Sequence, residues 1–396
     1  MNTPYKHLGL LFIMILVACL TGTASDIYTP SLSIIATDLN SSIEQIQRSM
    51  AIFMLGVAIS QLVYGPLSEG IGRRIPLMIG LSIFFVGTLT STISSSASIL
   101  ILSRFIQGCG AGACASLWRS IFRDSFNSTE IAKYGSYVGI IMTFVVAAAP
   151  TIGGYLQDFF NWKANFYFLS FYSLCTLLLV IFALKETSVH HHKNNLNIRF
   201  FINAFKQLFS SSIFMGFSVC VFMTYGAFFS WFVVGPILLI NNLEMSPIQF
   251  GWTNLMVGSI SMTLGGIFNA RIVAKMGSVF MLRLGWFCMI SAGILLLVCS
   301  MVFGQSVWSI IVSIFIFLFG GTLIWPNSFA GAFAPFGKIA GYAGALYSFM
   351  QLGGGAGLGW LSSFLPSSSP VAMAIILITA PALAWLCFEK IVQRAS

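Results

Sequence analysis

The sequence predicts an all-α membrane protein of twelve transmembrane helices in two six-helix bundles, and three observations carry that prediction. Charged residues make up 7% of the chain against 57% hydrophobic and 15% aromatic, with a mean hydropathy of +0.92, a composition no water-soluble domain sustains. Apolar runs of about 20 residues, enough to cross a bilayer core as a helix, recur along the chain between short polar breaks. The longest polar stretch, KETSVHHHKNNLNIR at 185–199, leaves six such runs on either side. A β-barrel would alternate polar and apolar residues over about ten at a time, whereas a run such as 290–303 is apolar on every face.

The twelve runs lie near 8–32, 47–67, 76–96, 98–118, 134–157, 164–184, 209–235, 248–270, 279–303, 306–328, 340–364 and 369–388. With a cytoplasmic N-terminus, 16 of the 19 basic residues fall in inside loops, and only Arg48 and Lys163 fall outside. That asymmetry orients the chain with both termini in the cytoplasm. It also accounts for the net charge of +9 without invoking nucleic acid. The expected organisation is an N-terminal bundle over 1–184, a cytoplasmic linker over 185–208 and a C-terminal bundle over 209–396. FFINAFKQLF, from position 200, has the pattern of an amphipathic helix at the membrane surface. The loops GPLSEGIGRR at 65–74 and GIFNARIVAKMG at 266–277 form a weak repeat about half a chain apart.

All eight cysteines fall in apolar runs with no C-x-x-C pair, and read as small packing residues. His190, His191 and His192 sit together on the linker, where adjacent histidines are ordinarily solvated. No metal site is expected. There is no G-x-x-x-x-G-K-[ST] loop and no soluble region large enough for an ATPase. No catalytic constellation appears either, so an enzyme is not expected.

Four local patterns carry chemistry. In SDIYTPSL (25–32), Asp26 is a lone acid in an apolar run, which is costly unless it is paired, neutralised or facing water. Pro30 lies four residues on and frees the Asp26 carbonyl from its helical partner. In LSRFIQGCGAGACASLWR (102–119), Arg104 is the one basic residue inside a span, with Gln107 one turn on. Counted at 1.5 Å per residue, Asp26 and Arg104 both lie roughly 9 Å from the outer surface. They are therefore plausible partners, although Arg104 can also snorkel to that surface. GPLSEGIGRR offers Gly65 and Gly72 for a tight turn and close approach. Its Glu69 and Arg73 can pair with each other or with a neighbouring helix end, and Arg74 follows. In AAAPTIGGYL (147–156), Pro150 removes a backbone hydrogen bond while Gly153 and Gly154 admit another helix.

Together these patterns resemble the major facilitator superfamily, and within it the drug:proton antiporters of the Bcr/CflA type. GPLSEGIGRR is similar to the family's loop 2-3 signature, with Glu69 in place of the usual Asp. LSRFIQGCGAG is similar to the helix-four signature, and SDIYTPSL to the D-M-Y-L-P-A-L segment of that branch. APTIGGYL resembles the helix-five antiporter signature, with Ala149 where glycine is usual before the proline. The resemblance implies two bundles rocking about a central cavity lined chiefly by helices one, four, seven and ten. It also implies a proton-coupled exporter of small amphiphilic compounds in the inner (cytoplasmic) membrane, with the proton gradient as its energy source and no cofactor, working as a monomer among membrane lipids. A dedicated carrier of a metabolite, such as a siderophore or amino-acid derivative, is the alternative.

On this reading Asp26 carries the proton and Arg104, with Gln107 nearby, tunes it; a static structural pair is the competing expectation. Tyr28 and Gln107 are expected at the substrate cavity. So are Tyr225, Phe228 and Trp231 of YGAFFSW (225–231), which recur at three-residue helical spacing. Trp325 and Asn327, around Pro326, are weaker candidates.

Overall fold

The structure, a computed structural model, describes residues 4–188, 198–336, 339–366 and 369–395. His190, His191 and His192 lie outside the described residues. The described chain is helical throughout: α1 (Pro4–Asp26), α2 (Leu32–Asp38), α3 (Ile43–Ile71), α4 (Arg74–Thr92), α5 (Ala97–Ser125), α6 (Ser128–Phe159) and α7 (Lys163–Phe182) precede the linker region. There follow α8 (Ile198–Phe209), α9 (Ser212–Pro236), α10 (Pro247–Val302), α11 (Val307–Phe333), α12 (Ala340–Ser362), α13 (Pro370–Cys387) and the short α14 (Gln393–Ala395).

Ten helical stretches among the described residues are long and apolar enough to cross a membrane. One of them, α10, would be about 84 Å long as a single rod. It breaks at Gly277 (φ 81°, ψ 163°) into two spans. The glycine-rich α12, at 23 residues, is less apolar than its neighbours but long enough to cross. Among the described residues the spans therefore number twelve, six on each side of the linker. Gly72, which ends α3 at φ 93°, occupies the place in the first half that Gly277 occupies in the second. The two lie about 200 residues apart, so the weak sequence repeat has a backbone counterpart.

Several helices start on side-chain caps. Ser42 accepts from Gln45 N and Ser96 from Ile99 N, while Asn127 with Glu130 and Ser246 with Gln249 form capping boxes. These polar residues break the apolar pattern, which is why span starts are legible in the sequence. Ends are less so. α5 runs on to Ser125, carrying Arg119 and Arg123 beyond the apolar run that ends near 118.

Within the first half α3 and α4 pack on α5, and within the second α11 packs on α10 and α12 on α9; the halves meet where α3 lies along α12 and α6 along α10. Hydrogen bonds join the halves at the face opposite the termini, among them Ser33 Oγ to Asn241 Oδ1 (2.6 Å), Gln47 Nε2 to the Val233 carbonyl (2.7 Å) and Trp252 Nε1 to Tyr155 Oη (3.3 Å). The Arg48 guanidinium lies over the Phe364 ring at 4.5 Å on the same face. At the face bearing the termini, a cleft of about 320 Å³ separates the ends of α3 and α5 from α11 and α12.

Candidate functional site

A cavity of about 150 Å³ lies between the halves, with Asp26 on its wall. Asp26 is the last residue of α1. Pro30 cannot continue the helix, and the chain passes through a 3₁₀ turn, Thr29–Ser31, before resuming as α2. The Thr29 hydroxyl donates to the Asp26 carbonyl at 2.8 Å, taking up the group that Pro30 leaves without a donor. Gly153 of α6 seats this turn, because a side chain there would strike the Ile27 carbonyl. Gly154, one residue on, meets the Pro247 carbonyl of α10: a Cβ there would lie 2.7 Å from that oxygen. One glycine of the helix-five motif thus positions the acid's turn and the other brings the halves together.

Arg104 is entirely buried, so the snorkelling alternative does not hold. Its Nη1 donates to the Ala24 carbonyl at 3.0 Å and to Gln107 Oε1. Its guanidinium carbon lies 4.5 Å from the Tyr28 ring centre and 4.1 Å from that of Phe53. Nε and Nη2 have no hydrogen-bond partner among the described residues. No ion pair within 4 Å joins Arg104 to Asp26 among the described residues. The static pair expected from depth alone is therefore absent in this conformation: the guanidinium is held two residues back along α1, on Ala24.

The cavity is lined from the first half by α1, α3 and α6 (Ser25, Met54, Thr143) and from the second by α9, α10 and α11 (Phe229, Asn254, Leu318). Tyr225 and Phe228 stand in the wall. Tyr28, Gln107 and Trp231 do not line it. Tyr28 bonds Ser49 at 2.9 Å beneath Arg104, Gln107 donates to Thr88 Oγ1 at 2.8 Å, and Trp231 Nε1 donates to Asn254 Oδ1 at 3.3 Å. The helix-four contribution is likewise one layer back. α5 contributes no lining residue, because its close packing on α3 turns Arg104 and Gln107 into the bundle; a Cβ on Gly56 would lie 2.6 Å from the Phe105 carbonyl. Trp325 packs against Tyr225 and Phe228 at 6.1 and 5.2 Å between ring centres, bracing the aromatic wall from behind. Asn327 bonds Asn269 at 2.8 Å away from the cavity.

Sequence reasoning missed Asn254, Thr143 and Phe229. Asn254 is a polar residue in an apolar run and was findable on that ground; the other two are unremarkable in sequence and become cavity residues only through helix rotation.

The loop 2-3 motif forms a separate clamp at the face bearing the termini. Arg73 pairs with Asp124 of α5 (Nε to Oδ2, 2.9 Å) and donates from Nη1 to Ser68 Oγ at 2.7 Å, rather than pairing with Glu69. Local geometry decides this: Gly72 turns the chain so that Arg73 starts the next helix, facing the end of α5. The backbone N–H groups of Arg73 and Arg74 donate to Glu186 at 2.8 and 3.1 Å, closing the motif onto the chain that follows α7. Partial burial alone would raise the Glu186 carboxyl, but backbone donors from Ser188, Arg73, Arg74 and Thr187 outweigh it and hold the group below its ordinary 4.5. Gly65 lies against Ala345, and Glu69 faces the cleft near Gly341.

Comparison with known proteins agrees with this architecture. The model of the Major Facilitator Superfamily matches residues 14–358. The chain is 27% identical over 399 residues to "Multidrug resistance protein D" of Escherichia coli strain K12, covering 99% of this chain and 98% of that protein. It is 26% identical over 369 residues to "Bicyclomycin resistance protein homolog" of Haemophilus influenzae, covering 93% and 92%. Among solved structures, the fold is similar to a bacterial homologue of the human lysosomal transporter Spinster, inward-facing and unoccupied (TM-score 0.77, 13% identity, 99% of each chain). It is also similar to the xylose transporter XylE from E. coli, partially occluded and inward-open (TM-score 0.73, 16% identity, 98% of each chain). The twelve-span fold and the match over most of its length place this chain in the Major Facilitator Superfamily, a family of membrane transporters and not of enzymes.

Proposed function

We propose that the protein is a proton-coupled antiporter that exports small amphiphilic compounds across the inner membrane by alternating access, as a monomer with both termini cytoplasmic and the proton gradient as its energy source. The observation that carries this reading is a cavity between the halves whose one acidic lining residue among the described residues, Asp26, sits at the break between α1 and α2. Relatives named for multidrug and bicyclomycin resistance support export as the direction. The basic residues concentrated on the face bearing the termini support the orientation.

In this mechanism Asp26 binds a proton from outside and releases it inside, with substrate moving the opposite way. Arg104 tunes the exchange: Nε and Nη2, unpartnered here, take the carboxylate when it ionises and let go when it is protonated. The moving bodies are 1–184 and 209–396, and 185–208 links them. The face opposite the termini is sealed by cross-half hydrogen bonds while the other holds an open cleft, so this conformer faces the cytoplasm. At about 150 Å³ the cavity is below the ~300 Å³ lower range of sites that hold drug-sized ligands, so it widens on loading.

The test is substrate-induced proton release from purified protein over a panel of amphiphilic compounds that includes bicyclomycin and chloramphenicol. Wild type should release protons on binding, and Asp26→Asn should bind without release and lose pH-gradient-driven transport in proteoliposomes while remaining folded. Full coupled transport by Asp26→Asn would overturn the assignment.

A further inference from the structure

We propose that the cleft at the face bearing the termini is a second binding site, for an amphiphile with an anionic head and an aromatic or acyl body. At about 320 Å³ it has about twice the volume of the cavity around Asp26, and no residue lines both. Its chemistry is also opposite. Among the described residues, the central cavity carries an acid and no base, whereas the cleft carries three guanidiniums, Arg73, Arg119 and Arg123, with Glu69 the one carboxylate in its lining.

The pairing around these groups leaves an excess of positive charge on one wall. Asp124 accepts from Arg73 at 2.9 Å and stands 3.6 Å from Arg123, so one carboxylate serves two guanidiniums. Arg119 makes no ion pair among the described residues; its guanidinium lies 5.1 Å from the ring of Trp118, its own neighbour. Between these arginines and the membrane interior, Gln61 lines the cleft at 3% exposure, and its Nε2 has no hydrogen-bond partner among the described residues. A buried amide donor without an acceptor is costly unless a ligand supplies one. Unpaired guanidiniums recognise carboxylate, sulfonate or phosphate through their fork of N–H donors.

The opposite wall is aromatic. Phe329 and Phe333 stack at 4.0 Å, and Tyr342 stands beside them in the lining. Phe329 is 50% exposed. A ligand therefore meets donors on the α3 and α5 side and flat apolar surface on the α11 and α12 side, which is the complement of an anionic amphiphile. The two walls belong to different halves. An occupant must favour the conformation with this cleft open, and so slow any cycle that closes it.

The site is tested by equilibrium binding of radiolabelled naphthalene-2-sulfonate and of uncharged 2-naphthalenemethanol to protein in phosphatidylcholine nanodiscs, with empty nanodiscs subtracted. Wild type should bind the sulfonate more tightly than the alcohol. Arg119→Gln/Arg123→Gln should raise the Kd for the sulfonate about tenfold, the loss of charge-assisted hydrogen bonds, while changing that for the alcohol less than about twofold. Gln61→Leu, which removes a donor without removing charge, should weaken the sulfonate by about threefold to tenfold. Asp26→Asn should leave sulfonate binding intact. Thermal unfolding of each variant confirms that it is folded. Equal affinity of wild type for the two probes, or unchanged sulfonate affinity in both the arginine and Gln61 variants, overturns the proposal. Replacing part of the phosphatidylcholine with phosphatidylglycerol separates the sources of the anion: competition with the sulfonate identifies a lipid headgroup, and no competition identifies a soluble anion.

Discussion

Arg104 holds a buried positive charge on two hydrogen bonds and two aromatic faces, with two of its three nitrogens carrying at least one unpartnered N–H. That arrangement depends on a flat guanidinium and not merely on charge. Arg104→Lys keeps the charge but loses the plane that stacks on Tyr28 and Phe53, and should cost about 1–3 kcal/mol in unfolding free energy together with about tenfold in coupled transport. Wild-type transport by the lysine variant would show that charge alone suffices. A second residue-scale prediction concerns Trp231. Its indole N–H can only donate, so the contact with Asn254 fixes Oδ1 toward Trp231 and leaves Nδ2 for the cavity that Asn254 lines. Trp231→Phe keeps most of the packing but frees the amide to turn over. It should raise KM about fivefold for substrates that present a carbonyl acceptor, with little change in kcat, in a proteoliposome flux assay.

At the scale of elements, helix ends decide more than helix interiors. The break after Asp26, the turn at Gly72 and the kink at Gly277 are where backbone groups are left over and side chains must meet them. Glu186 does this for the α3–α4 turn, accepting from Arg73 N and Arg74 N. Its carboxyl is held below the ordinary 4.5, so its stabilising contribution is fully present above that pH and fades as pH falls through the depressed value. Glu186→Gln should accordingly lower the thermal midpoint at neutral pH, and the difference from wild type should close in acid below the ordinary carboxylate range. A difference that persists unchanged there would mean the side chain acts by shape and not by charge. The motif itself was visible in the sequence, but its partners were not: Asp124 and Glu186 lie 51 and 113 positions from Arg73.

For the whole molecule, the face opposite the termini is closed by a few polar contacts between halves that are otherwise apolar. Gln47 is buried at 1% exposure and spends its amide on the Val233 carbonyl, and neighbouring Arg48 rests on Phe364. Loss of one such hydrogen bond shifts a two-state equilibrium by about fivefold. Gln47→Leu with Arg48→Gln should therefore populate a conformer open on that face. Spin labels at positions 45 and 361, on α3 and α12, should show a longer distance component than in a protein with both residues intact. An unchanged distribution would place the seal elsewhere, on the contact between α6 and α10 that includes the Trp252–Tyr155 hydrogen bond.

Hydropathy and the rarity of charge within the apolar runs are local properties of the chain, and they were enough for the twelve spans and the singling out of Asp26 and Arg104. Pro30 also announced the helix break beside Asp26, because a proline's missing N–H acts on its own turn whatever surrounds it. Depth along a helix was legible too, at a fixed rise per residue, but rotation about the helix axis was not. Only the tertiary structure decided that Arg104 and Gln107 turn into the first bundle while Tyr225 and Phe228 turn to the cavity, and that Arg73 takes Asp124 over Glu69. An all-apolar helix carries no polar stripe to report which face is buried, so glycine contacts such as Gly56 against Phe105 and Gly153 against Ile27 set the rotation, and these exist only once the helices have met.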